Sequence, residues 1–136
     1  MEVMMTELAL KTTLNGSMTN AYDRVRAALK DQGFGILTEI DMAGTLKEKI
    51  DADLEPYVIL GACNPSLAHR AVSVKREIGL LLPCNVVVRQ DPDDADLVHV
   101  EAMNPNLMVQ FADDPGLAEV ATEATRLIQK AIDSLN

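Results

Sequence analysis

The sequence predicts a two-layer α+β fold, with a mixed or mainly antiparallel sheet and helices packed on one face. Three observations carry this reading. Several segments alternate apolar and polar residues, as strands with one buried and one open side do. The element order reads β-α-β-(α)-β-α-β-β-(β)-α, with two consecutive strands joined by a short acidic turn. The C-terminal segment repeats apolar residues at helical spacing. With 136 residues, the chain is expected to form a single domain over 1–136.

Glu7 to Leu14 alternates as a half-buried strand, with Leu8, Leu10 and Leu14 on one side and Glu7, Lys11 and Thr13 on the other. Asn15-Gly16 turns, and Ser17, Thr19 and Asn20 are N-cap candidates for a helix from Ala21 to Gln32. Ala21, Tyr22, Val25, Ala28 and Leu29 form its apolar stripe, and Gly33 is a suitable stop. Gly35 to Ile40 reads as a second strand, which would be parallel to the first if the two were neighbours. A short helix is expected from Ala43 to Ile50, capped by Asp41 and weakened by Gly44.

Tyr57 to Cys63 is apolar on both sides, as a central strand is, and Gly61 within it marks a place for close approach. Pro65 suits the first helical position, making Asn64 the N-cap of a helix that runs to Lys75 or Glu77. Cys84 to Gln90 places Cys84, Val86 and Val88 on one side and Asn85, Val87 and Arg89 on the other. After the turn Asp91–Asp96, the strand Leu97–Met103 sets Val98, Val100 and Ala102 opposite Leu97, His99 and Glu101. Leu107 to Phe111 reads as a last short strand, and Asp114-Pro115 opens the terminal helix.

The bulk numbers exclude several functions. A net charge of −9 and 3% aromatic content give neither the basic face nor the stacking rings that nucleic-acid binding uses. The apolar run Ile78–Pro83 is too short to span a bilayer, and the acidic N-terminus does not read as a secretory signal. The expected location is cytoplasmic, where two cysteines are thiols rather than a structural disulfide.

Leu37-Thr-Glu-Ile-Asp41, Leu46-Lys-Glu-Lys49, Tyr57-Val-Ile-Leu-Gly-Ala-Cys-Asn-Pro65 and Ile78-Gly-Leu-Leu-Leu-Pro-Cys-Asn-Val86 together resemble the "domain of unknown function 302" family. The resemblance runs from about Ser17 to Met108. It implies a small α+β domain, widespread in prokaryotes and often homodimeric, with no established activity and no specified cofactor.

The candidate chemistry centres on the two cysteine joints. Cys63 directly precedes a helix N-cap, where the helix dipole favours thiolate by about 1 kcal/mol, too little by itself for a strongly activated nucleophile. The competing reading is a small buried residue where strand meets helix. Cys84 reads as core, and whether the two cysteines can pair is open, since a disulfide needs Cα atoms within about 7 Å. His99 and Glu101 share a strand side and are candidates for a base and its orienting acid, with Arg89 on the adjacent strand. Catalytic candidates are therefore Cys63, His99 and Glu101, and ligand-binding candidates are Cys63, Asn64, Cys84, Asn85 and Arg89. No metal site is expected: Cys63, Cys84, His69 and His99 follow no zinc spacing, and the Asp91–Asp96 run lacks the glycine and closing Glu of a calcium loop. The function itself stays unspecified. A small-ligand or thiol redox role near Cys63 stands beside a Cys-dependent enzyme and a structural or regulatory dimer.

Overall fold

The computed structural model describes residues 7–136. Its first half runs β1 (Ala9–Asn15), α1 (Met18–Asp31), β2 (Gly35–Asp41), α2 (Met42–Ile50) and β3 (Tyr57–Cys63). The second half continues with α3 (Pro65–Val74), β4 (Cys84–Gln90), β5 (Leu97–Met103), α4 (Asn106–Ala112) and α5 (Ala118–Asp133). Short 3₁₀ segments cover Arg76–Leu81 and Pro115–Leu117.

The five strands form one sheet in the order β1-β5-β4-β3-β2, and each neighbouring pair is antiparallel. The α+β class therefore holds, with an antiparallel rather than a mixed sheet. β1 and β2 lie at opposite edges, so the first strand–helix–strand unit makes no parallel pair.

Side-chain alternation decides the layers. Leu60 and Ala62, then Cys84, Val86 and Val88, then Val98, Val100 and Ala102 turn to one face. There they pack with Val25 and Leu29 of α1 and with Ile128, Ala131 and Ile132 of α5. A second cluster joins Leu67 and Ala71 of α3 to Ile78, Met108, Leu117, Val120 and Ala124. Leu127 packs against both clusters, so α5 bridges them.

The predicted caps are in place. The Asn20 N–H donates to Ser17 Oγ at the start of α1, and the Gly44 N–H donates to Asp41 Oδ1 at the start of α2. The latter bond gives α2 a start despite its glycine. Arg26 of α1 pairs with Glu39 of β2 at 3.2 Å and lies over the Tyr22 ring. The acidic run after β4 is a turn in which the N–H groups of Asp93 and Asp96 donate to the carboxylates of Asp91 and Asp94.

Three expectations from the sequence need correction. Residues 107–111 lie in helix α4, not in a strand. Leu107 and Met108 are both buried, Met108 within the second cluster, and Asn104 starts the helical turn by accepting from the Asn106 and Leu107 N–H groups. Helix α3 stops at Val74 because Lys75 is extended, with φ −149° and ψ 111°. On β1, Leu14 is buried as expected, whereas Leu8 precedes the strand and is exposed.

Candidate functional site

β3 ends at Cys63, and the next residue begins a helix. Asn64 has extended backbone, its Oδ1 accepts the Leu67 N–H at 3.2 Å, and Pro65 takes the first helical position. The Asn64 amide also fills the space beside Gly33, whose φ is +85° and where an added Cβ would lie 3.0 Å from Nδ2. Its Oδ1 thus caps α3, while its amide nitrogen occupies space that a side chain at residue 33 would need.

Cys84 opens β4 directly opposite Ala62, the neighbour of Cys63. Both cysteines are free thiols, and both line one narrow cavity at the seam between the two core clusters. Phe34, Leu67, Leu82, Met108 and Val120 contribute apolar walls. The cavity holds ≈ 30 Å³ of solvent-sized space, room for about one or two waters and far below the several hundred Å³ of an organic-ligand pocket. Cys63 is partly exposed and Cys84 is buried. Burial pushes the Cys84 thiol up to about 11, and the nearby Cys63 adds to the rise. None of the lining residues is a Lys, Arg, His, Asp or Glu, so the cavity offers thiol chemistry without a built-in base or counter-cation.

The other candidates sit elsewhere. Arg89 stands opposite Tyr57 at the start of β3, six residues from Cys63 and about 20 Å along the strand. Arg89 and His99 are register partners, and with Glu101, Lys11, Thr12 and Thr13 they line a shallow recess on the sheet. Arg89 donates twice to Glu101, at 2.8 and 3.2 Å. That bond lowers the Glu101 carboxyl below its usual range and raises the guanidinium. His99 Nε2 pairs with Asp91 Oδ1 at 2.7 Å, and this contact lowers Asp91. Glu101 therefore neutralises Arg89 while Asp91 orients His99. The structure does not bring Cys63 together with Arg89, His99 or Glu101. Asn85 is exposed opposite Gly61 and does not line the cavity, and His69 is exposed on α3.

Asp91 was findable from sequence, because pairing Arg89 with His99 across a short turn carries Asp91 next to His99. Phe34 and Met108 were not. They reach the cysteines from other parts of the chain, and no local pattern marks such convergence. Among the described residues, no three His, Cys, Asp or Glu side chains group as a metal site, and no helix is long and apolar enough to cross a membrane.

Comparison with known proteins agrees with this architecture. Residues 10–135 match the family described as "Domain of unknown function DUF302". The chain is also similar to the crystal structure of an uncharacterized conserved DUF302 protein from Bacillus stearothermophilus. The TM-score is 0.87 at 27% identity, covering 96% of this chain and 100% of the other. No curated protein matches.

Proposed function

The chain belongs to the DUF302 family, a family of unknown function, and on that premise we propose that it is a thiol-based redox module whose exchanging group is Cys63. One observation carries the reading: a partly exposed thiol at the end of β3 shares its small apolar cavity with a second thiol and no other ionisable group. The size of the cavity weighs against an organic small-molecule ligand at this place, and the lack of a base or cation weighs against a cysteine-dependent hydrolase or transferase. The reading takes the chain as one domain acting in the cytoplasm, where a thiol is the resting state. It also takes the chain as a homodimer, supported by the exposed apolar residues Leu37, Ile40 and Ile50 on β2 and α2.

The test is alkylation of the native protein with a thiol reagent, followed by peptide mapping. Cys63 is expected to be modified first, with Cys84 protected until the protein unfolds. If neither thiol reacts before unfolding, the redox reading is lost and a structural dimer takes its place.

A further inference from the structure

Resting on the thiol reading, we propose that Cys63 and Cys84 close to an intramolecular disulfide, with Cys63 exchanging first and Cys84 resolving. Register supplies the geometry. Ala62 faces Cys84 directly across the β3–β4 pair, so Cys63 is one step along from that partner. Opposed Cα atoms in an antiparallel pair lie about 4.5–5.5 Å apart, and one further residue adds about 3.4 Å along the strand, giving a diagonal of about 6 Å. That value falls inside the roughly 4.4–6.8 Å range of disulfides.

Alternation along a regular strand would aim Cys63 away from Cys84. Cys63, however, is the last residue of β3, paired with Gly35 of β2 and one residue before the cap of α3. Both residues line the same cavity at this strand end, and the charge of one is felt by the other.

The cavity also favours this product over a bound soft cation. Met108 brings a third sulfur-bearing side chain, so a copper(I) ion is the rival occupant. Two thiolates around a monovalent ion leave a net negative charge among apolar walls that hold no cation to offset it. A disulfide is neutral, and it removes the cost of ionising Cys84.

The oxidant is a low-molecular-weight disulfide. The Cys63 thiol gives its proton to water, and the thiolate attacks one sulfur of R–S–S–R. The Cys63–S–S–R bond forms as the first R–S⁻ leaves and takes up a proton. The Cys84 thiol then loses its proton to water and attacks the Cys63 sulfur, releasing the second R–S⁻. Two protein thiols lose two electrons in all, and one R–S–S–R becomes two R–SH. Because burial holds the Cys84 proton tightly, resolution is the slow step, and the mixed disulfide on Cys63 is its visible precursor.

The experiment uses the full reduced chain with oxidised glutathione, quenched over time and mapped without reductant. The expected result is a transient glutathione adduct at Cys63, then a Cys63–Cys84 cross-linked peptide. The intact chain should be lighter by two hydrogen atoms, have lost both free thiols, and be restored by dithiothreitol. Cys84→Ser should stall at the adduct, with Cys84→Ala as a second variant should the first not fold. If the wild-type protein also stalls at the adduct, or links only between chains through Cys63, the pairing is overturned while the thiol reading stands. If Cys63 forms no adduct at all, both fail. Retention of one copper(I) per chain against a chelator, with no cross-link after its removal, also overturns the pairing.

Discussion

Cys84 ionises reluctantly because its sulfur begins a strand inside the core, and this has a consequence for stability. Its folded value of about 11 lies above the ordinary 9.0, so the folded state holds the proton longer than the unfolded state does. The contribution is fully present below pH 9.0 and is lost as pH rises through about 11, by an amount on the order of 3 kcal/mol. Denaturant titrations across that window should show wild-type stability falling more steeply than that of Cys84→Ala. Parallel curves would show that the thiol is not confined as described. Glu101 behaves in the opposite sense. Its folded value is depressed by Arg89, so its contribution is present above the ordinary 4.5 and is lost as pH falls through the lower folded value. Glu101→Gln should flatten the acid limb by about 1 kcal/mol or less, since the pair is partly solvated. Thermal melts of both proteins at acid and neutral pH would check this.

At the scale of elements, Gly61 shows how closely β3 is enclosed. A Cβ added there would collide with Thr38 Oγ1 on β2 and come within 2.8 Å of the Pro83 ring that leads into β4. Gly61→Ala is expected to cost about 1–3 kcal/mol in chemical denaturation, and Thr38→Ala should recover part of the loss by removing one of the two obstructions. A neutral Gly61→Ala would mean that the strands separate easily at this point. The sequence indicated the glycine's purpose but not which side chains approach it. The strands β3, β4 and β5, the cap at Asn64 and the acidic turn were all legible, because alternation, capping and turn chemistry are local. Residues 107–111 were not, since Leu107, Met108, Val109 and Phe111 suit either period, and only packing against α5 and the Arg76–Leu81 segment selects the helix. The candidate site divides the same way. The Cys63 joint could be read from Cys-Asn-Pro, whereas the sharing of one cavity by Cys63, Cys84 and Met108 depends on contacts distant in sequence.

At the scale of the whole molecule, the exposed apolar residues of β2 and α2 bear on assembly. Among the described residues, β2 is an edge strand whose backbone has an unpaired side, and Leu37 and Ile40 on it are 67% and 44% exposed. Ile50 at the end of α2 is 69% exposed, and α2 buries none of its residues fully. An edge strand with such side chains invites pairing unless something covers it. The net charge of −9 on each chain opposes association, so a dimer would depend on apolar burial strong enough to outweigh that repulsion. Ile40→Asp places a carboxylate on this edge strand and two across a symmetric interface. Analytical ultracentrifugation should report a dimer for the wild-type protein and a monomer for the variant. Circular dichroism of the variant should keep the native spectrum, because Ile40 lies outside the buried clusters of the single chain. Raising the salt concentration should tighten the wild-type dimer by screening its like charges. A wild-type monomer at micromolar concentration would remove the dimer from the proposed function and leave the exposed edge of β2 to a different partner.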